Sequence, residues 1–310
     1  ACGQSEGQLE KSSNDSGRVA LATALDCAVP APGSPRALLA QVDRLFKPAT
    51  AVYEKRDSDR LQILDLRGRD AMGETGYIFR SIAAPVDGWE APTQPLLTAV
   101  IANMLNRTAL QTDRPVVLMH EDGSAESLSA VAWAYWVLTA AGFEEISILR
   151  DGMAGWMAAH LPVVHRPNVP TPARNRSDLG ESFAASLKDM MDGSSRSTKL
   201  LYADPESATE GASHRASNGT IITLTQPQID RWMDPFAETP GAELLPVVAQ
   251  LRKRGAAEAP VLALGMDPKA AALNWFITSE VMQHDDVTLY PFPVALTETD
   301  DQFVLSALFN

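Results

Sequence analysis

The chain has 310 residues, about twice the usual domain size, so two domains are the starting expectation. Hydrophobic residues at 45% and charged residues at 21% are ordinary globular proportions, which excludes a wholly disordered, collagenous or coiled-coil protein. The 26 basic and 39 acidic side chains leave a net charge of −13, with no Lys/Arg cluster. Nucleic acids and anionic membrane surfaces are therefore poor partners on electrostatic grounds.

Taken in chain order, residues 1–34 read as an N-terminal tether, polar from Gly3 to Arg18. Ala37 to Phe46 repeats apolar residues at helical spacing and predicts a short amphipathic helix. Leu61 to Leu66 predicts a strand that ends in the polar run Arg67-Gly68-Arg69-Asp70. A helix follows over Thr98–Leu110, then a short buried strand over Pro115–Met119. The apolar stretch from Glu126 to Ala141 predicts a buried helix stopped by Gly142. The longest uncharged stretch, Ser127 to Phe143, falls short of the roughly 20 apolar residues a membrane span needs. Glu145 to Leu149 is a further strand. Strands alternating with helices imply a parallel sheet covered on both faces.

Leu161 to Asp178 holds Pro162, Pro167, Pro170 and Pro172, and supplies a linker placed at residues 167–178. It separates a first domain, 35–166, from a second, 179–310. The second half repeats the pattern more faintly. Strands are expected at Lys199–Ala203, Gly219–Leu224, Pro260–Leu264 and Asp286–Tyr290, with helices at Gly241–Arg254 and Pro268–Met282. The order strand, loop, helix, strand around Met119 recurs around Leu264, which suggests two copies of one fold.

The only two cysteines, Cys2 and Cys27, lie in the N-terminal segment. An even count in one segment favours a Cys2–Cys27 disulfide, closing a loop worth roughly 3 kcal/mol in an oxidising compartment. An acylated lipoprotein cysteine at Cys2, or two free thiols, are the alternatives. The opening Ala1-Cys2-Gly3-Gln4 has no initiator Met and points to a processed or trimmed chain. Two cysteines at that spacing match no zinc pattern, and HExxH, P-loop and GxGxxG sequences are absent. The histidines His120, His160, His165, His214 and His284 show no ligand spacing. Trp133, Trp136 and Trp156 fit a packed core, whereas Trp89 and Trp232, in less regular segments, have exposed partner anchors as the alternative to a core role.

Four segments of the first half carry a family resemblance. Ile63-Leu64-Asp65-Leu66-Arg67 ends in Asp-x-Arg. Gly76-Tyr77-Ile78 is followed by Pro85. Val116–Met119, a six-residue loop and the helix of Trp133 come next, and Leu149-Arg150-Asp151-Gly152-Met153-Ala154-Gly155-Trp156 closes the set. In this order and spacing, over roughly residues 58 to 160, they resemble a rhodanese domain. The resemblance implies an α/β protein of two rhodanese-like domains, each a mostly parallel five-stranded sheet flanked by helices, the second domain being degenerate.

The family's chemistry needs a cysteine opening the active loop, whose thiolate carries sulfane sulfur from a donor such as thiosulfate to a thiophilic acceptor. Loop N–H groups and the next helix N-terminus stabilise the anion. Here the loop reads His120-Glu121-Asp122-Gly123-Ser124-Ala125, with His120 at the family's cysteine and Ala125 at its usual arginine. The second loop, Gly265-Met266-Asp267-Pro268-Lys269, also lacks cysteine, and Pro268 removes a backbone donor. Imidazole forms no stable persulfide. Glu121, Asp122 and Glu126 outweigh a helix-end charge of about one half and repel anions. The plainest role for these carboxylates is to cap the helix start, with a cation site of His120, Glu121, Asp122 and Glu126 as the alternative. Ser124 lacks the nucleophile elbow Gly-x-Ser-x-Gly.

The expected function is accordingly that of a catalytically inactive module for binding, scaffolding or regulation, exported to a periplasm-like compartment, with another protein as partner. No cofactor and no metal are implied. A sulfurtransferase with a non-cysteine site, or an accessory subunit of a larger complex, are the alternatives.

Overall fold

Short runs of Val, Ile and Leu bounded by polar residues can bury both faces only if helices cover them from either side. The structure, a computed structural model, describes residues 34–56, 60–171, 177–194, 199–204, 213–216, 219–225, 244–253, 256, 260–299 and 302–307. The tether, Cys2, Cys27 and Trp232 lie outside the described residues. Helix α1 (Pro35–Leu45) starts on Ser34, whose side chain accepts the Ala37 N–H at 3.2 Å, and Pro35 sits where its missing donor costs nothing. Then come β1 (Phe46–Lys47), α2 (Ala49–Lys55), β2 (Gln62–Asp65), α3 (Arg69–Thr75) and β3 (Ile82–Ala83). The series continues with α4 (Gln94–Thr108), β4 (Val116–Met119), α5 (Ala125–Ala140), β5 (Ile146–Leu149) and α6 (Gly152–Ala158).

The first sheet has five strands in the order β1-β5-β4-β2-β3, all parallel. Residues of β4 alternate: Val116 and Leu118 join the core under α5, while Val117 and Met119 pack with Trp156 under α6. The loops after β2, β4 and β5 therefore open at one carboxyl edge of the sheet, where open parallel sheets bind ligands. Residues 161–171 do not hang free as a linker. Tyr77 bridges Val164 and Ile82 bridges Asn168, so this stretch lies along the β3 edge. The expected linker also ends early, because α7 (Ser177–Ser194) begins inside it.

The second half contributes β6 (Lys199–Asp204), β7 (Ser213–Ala216), β8 (Gly219–Thr225), α8 (Leu244–Lys253), β9 (Val261–Gly265), α9 (Pro268–Phe276), a π turn (Ile277–Val281), β10 (Val287–Thr299) and β11 (Gln302–Ala307). Its sheet departs from the five mostly parallel strands expected. Six strands run in the order β10-β11-β7-β8-β6-β9, and β9 returns to β10 to close the ring. β8-β6-β9-β10 is parallel, whereas β7–β8 and β10–β11 are antiparallel. The cause is that β10 continues past Tyr290 through Pro291 and Pro293, with a register shift between Leu289 and Pro293, and then folds back as β11.

One apolar core joins the halves. It runs from Leu38, Val42 and Phe46 through the Trp133–Trp136 stack (5.1 Å between centroids) to Phe183, Leu273 and Phe276. Trp89 is only 4% exposed and belongs to this core, which removes the exposed-anchor alternative for it. Among the described residues no helix is long and apolar enough to cross a membrane.

Candidate functional site

The loop His120–Ser124 joins the end of β4 to α5, and its backbone is strapped to the start of α6. Met153 N–H donates to the His120 carbonyl at 2.8 Å and Ala154 N–H to the Glu121 carbonyl at 2.9 Å. Gly152 permits this approach: its φ is +55°, and a Cβ there would sit 2.5 Å from the His120 oxygen. No other residue fits that place.

The His120 ring turns inward and is buried, with 2% of the residue exposed. Nδ1 lies 2.5 Å from the Asp122 carbonyl oxygen and Nε2 lies 2.9 Å from the Leu149 carbonyl oxygen. Burial pushes the imidazole pKa down, against the pull of those two carbonyls and of the Asp122 carboxylate. Neither ring nitrogen faces an incoming donor.

Two amides at the start of α5, those of Ser124 and Ser127, have their acceptors within the chain. Asp122 Oδ1 accepts the Ser124 N–H at 3.0 Å and the Ser127 hydroxyl at 2.9 Å, and Ser124 Oγ accepts the Ser127 N–H at 3.3 Å. Partial burial pushes the Asp122 carboxyl up, but the hydrogen bonds from Ser124 and Ser127 prevail and hold it below the ordinary range. Gly123 lies half-buried between these two capping residues, Ala125 is the first residue of α5, and Glu126 points to solvent in the first turn. The cation alternative fails on geometry: among the described residues no group of three His, Cys, Asp or Glu side chains could hold a metal.

Beneath the loop lies a pair whose motif is plain in the sequence but whose role there is not. Asp65 and Arg67 have fully buried side chains and pair twice, Nε to Oδ1 at 2.9 Å and Nη2 to Oδ2 at 2.8 Å. Arg67 also donates to the Gly76 carbonyl at 2.7 Å and to Thr75 Oγ1, and its Nη1 lies 3.8 Å from Glu121 Oε2. Burial pushes the Asp65 carboxyl up and the guanidinium works against it. Glu121, whose Oε2 is buried without a hydrogen-bond donor, is likewise pushed up by burial; Arg67 opposes this, while Asp122, Asp65 and Glu74 add to it. A charged Asp-x-Arg closing an apolar strand is the signal that could have marked this pair as a support for the loop.

The second loop is also closed from within. Asp267 Oδ1 accepts the Lys269 N–H at 2.9 Å and caps α9. Gly265 is pressed against the Ala203 carbonyl, where a Cβ would come within 2.8 Å of the oxygen. Met266 is exposed and Pro268 is buried. Lys269 Nζ reaches across to the first half, 2.7 Å from Glu90 Oε1 and 3.7 Å from Asp87 Oδ1. Burial disfavours the ammonium, yet Glu90, Asp87 and Asp267 hold its pKa above the usual lysine value. The helices that follow the two loops, α5 and α9, pack on one another.

Residues 48–159 match the family model described as the rhodanese-like domain. The uncharacterized protein YibN of Escherichia coli strain K12 is 32% identical over 116 residues, which cover 37% of this chain and 67% of YibN. YibN from Escherichia coli O6:H1 matches to the same extent. Among solved structures, SseA from Escherichia coli, described in terms of the rhodanese fold of 3-mercaptopyruvate sulfotransferases, is similar with a TM-score of 0.55 and 18% identity. That likeness covers 79% of this chain and 96% of SseA. EanB bearing a cysteine persulfide, with ergothioneine, gives a TM-score of 0.56 at 14% identity, over 81% of this chain and 67% of EanB. At these identities the solved structures speak for the fold alone.

Proposed function

The chain belongs to the rhodanese-like family through residues 48–159, and from that premise we propose that it works by binding, as a member that has lost sulfur transfer. The observation that carries this reading is His120. By resemblance it takes the place of the family's cysteine, and its ring is buried with both nitrogens against backbone carbonyls. A persulfide carrier needs a polarisable thiolate facing an anion-stabilising cradle. Here the Ser124 and Ser127 amides of the cradle go to Asp122 and Ser124, and Glu121 and Asp122 add negative charge at the mouth. The remaining cysteines, Cys2 and Cys27, both precede the matched domain. The second half is, in the same reading, a degenerate second copy. The recurrence of strand, capped loop and helix at Leu264–Phe276 supports it, as does a fold likeness to SseA that spans most of both chains.

Thiocyanate formation from thiosulfate and cyanide tests the catalytic half of the proposal. Wild type should stay at the uncatalysed background, and so should His120→Cys alone. Activity should require Ala125→Arg together with neutral replacements of Glu121 and Asp122. Turnover by wild type would overturn the reading, and efficient turnover by the single His120→Cys variant would show that the cradle still accepts anions. The binding half is tested by native isolation: a chain that always migrates alone argues against it.

A further inference from the structure

Helix α9 does not end as an α-helix. Beyond Phe276 the chain enters the π turn, where the Met282 N–H donates to the Ile277 carbonyl five residues back at 2.8 Å. One extra residue in the turn rotates the residues beyond it by about 100° relative to a continuing helix. Such turns worsen helix geometry and tend to persist where the displaced residue is used. Here the turn carries Glu280. Its Oε2 accepts the Tyr135 hydroxyl of α5 at 3.0 Å and its Oε1 accepts the Ser279 hydroxyl at 3.2 Å. Its backbone carbonyl accepts Gln41 Nε2 of α1 at 2.6 Å. The Tyr135 ring is held edge-on to Phe276 at 5.1 Å and tilted against Trp275 at 6.4 Å. Burial, and then Glu280, push the phenol pKa well up, so the hydroxyl remains a donor throughout the physiological range.

We infer that the Tyr135–Glu280 hydrogen bond is a latch through which the second half of the chain sets the position of α5, and with it the loop His120–Ser124. Ser124 caps α5 at one end and Tyr135 lies eleven residues on, about 16 Å along the same helix. Between them Val131, Ala132, Trp133 and Ala134 are buried, so the middle of α5 is enclosed by packing and carries a shift along the helix as one body. A shift at Glu280 therefore reaches the cap at Ser124 without any contact between the two. This inference does not depend on whether the loop binds or catalyses.

Amide hydrogen exchange on the full chain tests it, with Tyr135→Phe, Glu280→Ala and Glu280→Gln as variants. In Tyr135→Phe and Glu280→Ala the amides of Ser124, Ser127 and Leu128 should exchange about fivefold faster, while Leu66 and Ala84, bonded within the sheet edge, stay within about twofold of wild type. Glu280→Gln keeps an acceptor for the phenol and should remain near wild type. The double variant Tyr135→Phe/Glu280→Ala should be no faster than the quicker single variant. A uniform rise across the first half, additive effects in the double variant, or a Gln variant as fast as the Ala variant would each overturn the latch.

Discussion

Asp122 holds two donors on a single carboxylate oxygen, the Ser124 amide and the Ser127 hydroxyl, so Asp122→Ala removes the brace of the Ser124 cap. Loss of such a cap costs about 1 kcal/mol. The direction of the pKa shift sets the sign of the pH dependence. The folded Asp122 pKa lies below the unfolded value, so its contribution is complete above the ordinary aspartate pKa of about 4 and fades as pH falls through the lower folded value. Denaturation midpoints of wild type and Asp122→Ala should differ at pH 7 and converge on acidification below about pH 4. A gap that stays constant would assign the effect to packing. Arg67 is the larger case. Arg67→Met leaves the buried Asp65 uncompensated and should cost about 3–5 kcal/mol in urea unfolding, with much of it restored by adding Asp65→Asn. An equal loss in the double variant would mean that the contacts to Thr75 and Gly76, rather than the charge pair, hold β2 to the loop.

Helices announce themselves through apolar spacing only when one face is wet, and α5 and α9 have almost no wet face. α5 was nonetheless legible because Gly142 stops it: φ is +92° there, and the Gly142 and Phe143 amides return to Thr139 and Leu138. Other boundaries depended on partners the local sequence does not display. Pro95, near the start of α4, precedes the apolar run at Thr98, and α3 (Arg69–Thr75) forms where the sequence showed only the polar run ending β2. The prolines at 291 and 293 concealed most of β10. α7 is a two-sided case, since its Leu179, Phe183 and Leu187 repeat every four residues but lie beside a Pro-rich stretch that reads as linker. Inside α9, Asn274 is fully buried with neither side-chain atom hydrogen-bonded. An unsatisfied buried amide costs about 1–3 kcal/mol, so the nearly isosteric Asn274→Leu should raise stability by about 1–2 kcal/mol, read as a higher urea midpoint at unchanged slope. A loss of stability instead would mean that the amide has a partner, such as a buried water, worth more than the apolar gain.

At the scale of the molecule, the place of the candidate loop was readable from sequence, because a short apolar strand followed by a polar loop and a helix puts that loop at the carboxyl edge of a parallel sheet. Its internal closure was less so. The His120 ring is pinned by the carbonyl of Leu149, 29 residues away, and Arg67 reaches the loop from β2, contacts that no local pattern encodes. The sequence suggests a repeat and two domains, yet one core runs through both halves. Leu38, Val42 and Phe46 of the first half, the length of α5, and Leu273, Phe276 and Ile277 of the second share one apolar cluster, with Phe46 edge-on to Phe276 at 6.1 Å. Cutting between the halves would expose Tyr135, Trp136 and Phe276 together, and each aromatic side chain removes on the order of 200 Å² from water. At about 25 cal/mol per Å², uncovering even part of that area costs several kcal/mol, a large share of the whole stability of a domain. The halves should therefore unfold as one unit. Tryptophan fluorescence, dominated by Trp89, Trp133, Trp136 and Trp156 of the first half, and hydrogen exchange of β6 and β9 in the second should report the same urea midpoint. Two separated midpoints, with the second sheet opening while the Trp133–Trp136 stack stays buried, would show that the shared core is weaker than its area implies.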